Sequence, residues 1–298
     1  PSPAAAISTA SATYAKTENV GGVIPGEGAL AKEYIVIGAH YDHLGYGGER
    51  SMKPNEHAIH NGADDNASGS VAAMLIGQEL HRTLPKAGDH RSIVVALFSA
   101  EEVGLAGSAH FVKDPPIPIE RIAAMVNLDM VGRLRDGQLT ALGSETAPEW
   151  KEMIDRAAKR PGLTVASKGD GYGPSDQTSF YAMGIPVLHL FTGAHDAYHT
   201  PDDKPATVHA DGAARVIAFA SALGADLARE PKKPVYLRAT SGPAMSGDSR
   251  GYGAYLGTIP DYSAMEATEG GVLLSDVRPG GPADRAGVRG KDRIVEMA

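Results

Sequence analysis

The sequence predicts an α/β fold, a mixed and largely parallel sheet sandwiched by helices, followed by a small β-rich C-terminal segment. Residues 33–39 (EYIVIGA), 92–99 (SIVVALFS), 122–128 (IAAMVNL) and 185–191 (IPVLHLF) are nearly continuous apolar runs of strand length. Strands covered on both faces read this way. Between the runs lie stretches with apolar residues at helical spacing, and alternating strands and helices imply a parallel or mixed sheet with helices on both faces.

Taken in order, the first run is followed at once by His40-Tyr41-Asp42-His43 and then by a Gly-rich loop, 45–65, that holds Pro54. Residues 67–81 (ASGSVAAMLIGQELH) form an amphipathic helix, with Asp65 or Asn66 placed to cap it. Glu101-Glu102 come just after the second run, and a helix starts over 107–112. The third run ends at Asp129. Residues 139–143 suit a short strand and 148–159 a helix. The fourth run leads into a loop, 192–203, and then a long Ala-rich helix, 211–227. Functional groups of such sheets gather at the C-terminal ends of the strands.

Composition shifts near residue 228. The domains read as an N-terminal extension (1–18), a main domain (19–229), a linker (230–250) with Pro231, Pro234 and Pro243, and a Gly-rich strand-and-turn segment (251–298).

Hydrophobic residues make up 42% of the 298, enough for a sizeable core, and the formal charge is −8. A nucleic-acid binder needs a basic face, so none is expected as a partner. No run approaches the roughly 20 apolar residues of a membrane span. The chain has no cysteine, which excludes thiol nucleophiles, disulfides and Cys-ligated metal. It begins at Pro1 with an Ala/Ser/Thr-rich stretch. That suits either the processed end of an exported protein, periplasmic or extracellular, or a cut from a longer chain.

Four acidic or histidine clusters follow predicted strands or lie in the next loop: His40-x-Asp42, Asp64-Asp65-Asn66, Glu101-Glu102 and Asp129. Tyr198-His199 lies in the loop after the fourth run. Each has a plain reading alone: a strand end, a helix cap, a solvated pair, a turn. Asp129 is the least easily dismissed, because an isolated buried carboxylate is costly. Together, two imidazoles and three carboxylates suit a pair of zinc ions, and a further carboxylate beside them suits proton transfer.

The segments GAHYDHLG, NGADDNASG, SAEEVGLAGS, NLDMVG, SDQTSF and YHTPDD resemble the signature segments of the secreted bacterial di-zinc leucine aminopeptidase family, which also contains glutamate carboxypeptidase II and glutaminyl cyclases. The resemblance covers roughly residues 19–227. It implies the phosphorylase/hydrolase-like zinc exopeptidase architecture, two Zn²⁺ ions, and peptide substrates with a free N-terminus. It also implies roles. His40, Asp65, Glu102, Asp129 and His199 are metal ligands, with Asp65 the bridge and Asp64 its competitor. Glu101 is the general base and Tyr198 a helper at the carbonyl oxygen. Asp42 fixes the tautomer of His40, and Asp176 is an acid near the substrate end. Of the remaining histidines, His43, His57, His60 and His195 lie near the site in sequence. His81, His90, His110, His189 and His209 match no role.

Residues 252–297 resemble the beginning of a PDZ domain, through GAYLG and GGVLLSDVRPGGPADRAGVRGKDRIVEM, which implies a peptide or protein ligand for that segment. Other readings stay open: a glutaminyl cyclase, a carboxypeptidase or dipeptidase, or a peptide-binding adaptor with an inactive peptidase domain.

Overall fold

The computed structural model describes residues 16–84, 88–238, 256–260, 271–277 and 281–296. The strands of the main domain are β1 (Val20–Ile24), β2 (Tyr34–His40), β3 (Ser92–Phe98), β4 (Ile122–Leu128), β5 (Gln138–Leu142), β6 (Thr164–Lys168) and β7 (Val187–Phe191). They form one sheet of seven in the order β1-β3-β2-β4-β7-β5-β6. β3, β2, β4 and β7 are mutually parallel. At the margins, β1 runs antiparallel to β3, and β5 antiparallel to β7 but parallel to β6. The mixed, largely parallel sheet is therefore as expected.

Helices α1 (Gly69–Thr83), α2 (Ala106–Lys113), α3 (Trp150–Lys159), α4 (Gln177–Ala182) and α5 (Ala210–Arg229) cover both faces. Strand alternation decides which core each residue joins. Ile35, Ile37 and Ala39 of β2 pack with Ile76 and Leu80 of α1, Trp150 of α3 and Phe219 of α5. Val36 points the other way, into a core with Phe98, Met125, Phe111 of α2 and Phe180 of α4. Gly38 leaves room for that second core, since a Cβ there would lie 2.7 Å from Phe98 and 2.8 Å from Met125. Gly38→Ala would overpack it at a cost of about 1–3 kcal/mol.

The central strands fall where the apolar runs put them. β1, β6 and α4 went unread. At the start of α1, Asn66 rather than Asp65 serves as the side-chain acceptor, taking the Gly69 N–H at 2.9 Å.

Most of the expected N-terminal extension, and residues 239–250 of the expected linker, lie outside the described residues. Residues 230–238 follow α5 and lie against the domain: Leu237 N donates to Thr146 O at 2.8 Å, and Val235 N to Glu149 Oε2 at 3.2 Å. The C-terminal segment contains a second sheet, β10-β9-β8, from β8 (Thr258–Pro260), β9 (Val272–Val277) and β10 (Arg293–Ile294), with helix α6 (Pro282–Arg285). Leu274, Val277 and Ala283 form its small core. Residues 251–255, which carry most of the GAYLG motif, lie outside the described residues. Among the described residues no helix is long and apolar enough to cross a membrane.

Candidate metal centre

Three adjacent parallel strands deliver the first group of side chains. His40 is the last residue of β2 and pairs in register with Phe98 of β3. Glu101 and Glu102 follow β3, and Asp129 follows β4. The backbone beside them turns sharply. Ala100 (φ +57°) and Met130 (φ +52°) adopt the left-handed region, as does His199 itself (φ +52°). Each costs a residue with a side chain about 1–2 kcal/mol, and such strain gathers where surrounding structure over-determines a site.

Loops deliver the second group. Asp65 lies in the irregular turn Ala63–Ser68, and its peptide bond to Asn66 is cis. Asp203 Oδ2 accepts the N–H groups of both Asp64 (2.9 Å) and Asp65 (3.0 Å). Arg133 Nη2 donates to the other oxygen of Asp203 at 2.6 Å. Asn66 Nδ2 donates to Leu128 O (2.9 Å) and its Oδ1 accepts from Met130 N (3.2 Å), so it grips the chain on both sides of Asp129. His199 Nδ1 donates to Arg50 O at 2.9 Å, while Met52 N donates to the His199 carbonyl at 2.9 Å. That pins the ring with Nε2 facing the carboxylates.

The two groups meet at Asp65. Its Oδ1 lies 3.3 Å from His40 Nε2 and its Oδ2 lies 3.2 Å from His199 Nε2. On the first side, His40 Nε2 is 3.5 Å from Asp129 Oδ1 and 4.0 Å from Glu101 Oε2. On the second, His199 Nε2 is 3.0 Å from Glu102 Oε2. These separations are about what donors 2.0–2.2 Å from a shared zinc ion would have. Two overlapping donor triads, His40 with Asp65 and Glu102, and His40 with Glu101 and Asp129, each have ligand atoms within 4.8 Å of one another. The split of Asp65 between the two imidazoles separates the donors more cleanly, into His40, Asp65 and Asp129 on one side and His199, Asp65 and Glu102 on the other. Asp65 Oδ2 and Asp129 Oδ1 are buried without a hydrogen bond among the described residues. Buried anionic oxygens without an aligned hydrogen bond suit a cation, and a donor set of imidazoles and carboxylates fits zinc.

The family model for peptidase family M28 matches residues 19–223. The chain is a member of peptidase family M28. Curated relatives of this M28 chain include aminopeptidase YwaD of Bacillus subtilis, 28% identical over 203 residues, or 64% of this chain and 40% of that protein. A probable leucine aminopeptidase of Trichophyton verrucosum is 27% identical over 198 residues, 63% of this chain and 50% of the relative. The chain thus spans about half the length of the curated relatives it matches. Among solved structures, an aminopeptidase from Aneurinibacillus sp. strain AM-1 superposes with a TM-score of 0.57 at 23% identity, covering 74% of this chain and 50% of the other. A glutaminyl cyclase of Porphyromonas gingivalis superposes with a TM-score of 0.58 at 19% identity, covering 69% and 76%. These likenesses show the shared fold.

Other sequence-expected residues of the M28 chain distribute as follows. The carboxylate of Asp42 accepts the N–H groups of Glu101 (3.1 Å) and Glu102 (3.2 Å), so it orients the glutamate pair. The nearer contact to His40 Nδ1 is the Asp42 carbonyl at 3.2 Å, against 3.6 Å for the carboxylate. Asp64 points away from both imidazoles, to Gly132 N (2.7 Å) and His195 Nε2 (3.1 Å). Asp176 is fully buried. Tyr198 stacks on His199 with ring centroids 3.8 Å apart. His57 stacks on Tyr46, and His60 bonds to Ser51. His43, grouped above only as a neighbour in sequence, reaches Glu102 Oε1 at 2.8 Å. Sequence reasoning assigned no role to His43 or Asp203. Three-residue spacing from His40 is a weak hint for the first, and nothing in YHTPDD singles out the second acid.

The field of the M28 centre follows from crowding like charges in a buried place. Burial alone would lower His40, but the charge of Asp129, with the carboxylates of Asp42 and Asp65, holds it well above 6.5. Burial likewise opposes His199, yet the carboxylates of Asp65 and Glu102 against its Nε2 push it up to about 10. Glu102, against its burial, is drawn down to about 2 by hydrogen bonds to His199 and His43. Burial would raise Asp65, but the imidazoles of His199 and His40 beside it hold it below the ordinary aspartate value. Glu101 has no such donor, and burial raises it well above the ordinary glutamate value. Burial also pushes Asp176 up to about 7, and it raises Tyr198 together with the charges of Asp65 and Glu102.

Proposed function

We propose that this chain is a two-zinc aminopeptidase that hydrolyses the N-terminal peptide bond of peptides with a free α-amine. The observation that carries the reading is Asp65, whose two oxygens face two different imidazoles, His40 at 3.3 Å and His199 at 3.2 Å. The aminopeptidase relatives supply the reaction class.

His40, Asp65 and Asp129 would hold one ion, and His199, Asp65 and Glu102 the other. When bound, the pair supplies Lewis acidity that lowers the barrier to attack by water on a peptide carbonyl. Glu101 Oε takes the proton of that water and returns it to the leaving nitrogen. Its raised pKa suits a group that must both accept and donate near neutral pH. Tyr198, though its ring is part-exposed, keeps its phenolic proton, because desolvation around its hydroxyl and four nearby carboxylates disfavour the anion. It can then donate a hydrogen bond to the carbonyl oxygen as charge develops there. Asp42, by accepting both N–H groups of the glutamate pair, keeps Glu101 and Glu102 facing the centre.

The test is metal analysis of the purified chain together with release of amino acids from a peptide, its N-acetylated form and an N-terminal glutaminyl peptide. Two zinc ions per chain and cleavage of the free-amine peptide only are the expected results. Cyclisation of the glutaminyl peptide without hydrolysis would overturn the reading in favour of a cyclase.

A further inference from the structure

We infer that His43 is a positioning residue that occupies one oxygen of Glu102 and so holds Glu102 as a one-oxygen ligand of the ion on the His199 side. The inference rests on the two-ion reading above and goes beyond it by assigning a residue outside the ligand set.

Glu102 is shared between two rings. His43 Nδ1 lies 2.8 Å from Oε1, while His199 Nε2 lies 3.0 Å from Oε2. The first is a hydrogen-bond distance, and it fixes the tautomer. With the proton on Nε2, the Nδ1 lone pair would face a carboxylate lone pair at 2.8 Å, which is repulsive. In the neutral ring the proton therefore sits on Nδ1. Nε2 is left bare, and it is buried with no hydrogen bond among the described residues. A histidine kept for packing alone would satisfy both nitrogens. This one leaves an acceptor unmet, at a cost offset by its bond to the carboxylate.

The ring is held so that it cannot turn away. Gly62 lies against it, at φ +58°, and a Cβ there would come within 2.6 Å of His43 Cγ. His199 meets its edge at a centroid distance of 5.8 Å and His60 lies on another side at 6.4 Å. A carboxylate with both oxygens free can rock between one-oxygen and two-oxygen contact with an ion. An N–H on Oε1 stops that motion and leaves Oε2 as the donor. Groups of this kind, which orient a ligand without touching the metal, typically change affinity by about 10–100-fold when removed.

The experiment uses the full chain stripped of metal and titrated with Zn²⁺ against a chromophoric chelator. The cobalt absorption spectrum of each variant serves as a second readout. His43→Leu removes the donor. His43→Asn keeps an N–H near the position of Nδ1. Wild type is expected to take up two ions. His43→Leu should bind the first unchanged and the second about 10–100-fold more weakly, with an altered cobalt spectrum. His43→Asn should return the second affinity to within about threefold. Unchanged binding of both ions by His43→Leu overturns the inference. So does His43→Asn behaving like Leu, because the imidazole nitrogen would then be a ligand itself. If Leu at this position does not fold, His43→Gln, which moves the donor away from Glu102, takes its place with the same expectation. Wild type taking up fewer than two ions overturns the two-ion reading, and the inference with it. That result is seen before any variant is made, so the two failures are distinct.

Discussion

The two halves of the proposed metal centre are built by different means. His40, Glu101, Glu102 and Asp129 ride on or just beyond β2, β3 and β4, whose spacing is set by backbone pairing over their length. Asp65 and His199 stand on loops and are placed by individual side-chain and backbone contacts: Asp203 under Asp65, and Arg50 and Met52 around His199. Losing one contact from the sheet-borne half leaves many others. Losing one from the loop-borne half removes a large share of what orients the ligand. Robustness of position therefore comes from the sheet, and vulnerability gathers in the loops.

The largest expected effect tests the sheet-borne half. Glu101→Gln should keep the backbone, both ions and the melting temperature while lowering turnover by about 10²–10⁴-fold. Steady-state kinetics with parallel zinc analysis checks this, and near-normal turnover would remove Glu101 from its role. In the loop-borne half, Asp203→Ala should unfold more easily by about 3 kcal/mol, since it strips Arg133 of its close partner and leaves two buried N–H groups bare. Denaturant titration measures that loss. If Asp203→Ala were as stable as wild type and bound both ions normally, the contrast between the halves would fail.

Asp176 gives a pH-dependent test. Its folded value, about 7, lies above its ordinary 3.8. Its contribution therefore favours the folded state below 3.8 and is lost as pH rises through 7. Metal-free wild type should lose melting temperature between pH 4 and pH 8 relative to Asp176→Asn, a difference that parallel thermal melts would reveal.

Each half should also give up a proton when metal enters. The carboxylates raise His40 well above 6.5 and His199 to about 10, which favours the protonated rings in the metal-free chain. Ligation needs both neutral, so calorimetry in buffers of different ionisation enthalpy should report release of about two protons. The smallest effect concerns the strained corner before the glutamates. Ala100→Gly should stabilise by about 0.5 kcal/mol, as relief of the left-handed strain slightly exceeds the added freedom of the unfolded chain. Chemical denaturation would show whether the gain is there.

The same division governs what the sequence disclosed. The four central strands were legible because burial on both faces writes a continuous apolar run. The sheet's two edge strands were not. β1 reads VGGVI, with exposed Val20 and Val23, and β6 reads TVASK, mostly solvent-facing, so neither carries that signal. Helix α4, QTSFYA, is too short for helical periodicity to emerge. The ligand-type residues stood out because carboxylates and imidazoles beyond apolar strands are conspicuous. Asp203 and His43 did not, since their importance comes from what the fold brings against them: Arg133 and two peptide N–H groups for one, a single carboxylate oxygen for the other.

Because Asp203 is hooked to the peptide before Asp65 while His199 reaches the side chain of Asp65, the stretch joining them is a ruler with both ends fastened to one residue. Its length is not free to drift. Inserting or deleting a single residue between His199 and Asp203 would swing either the ring or the hook out of reach. Of the residues between them only Asp202 is exposed, so its side chain can be exchanged at little cost while the number of residues in the turn cannot change.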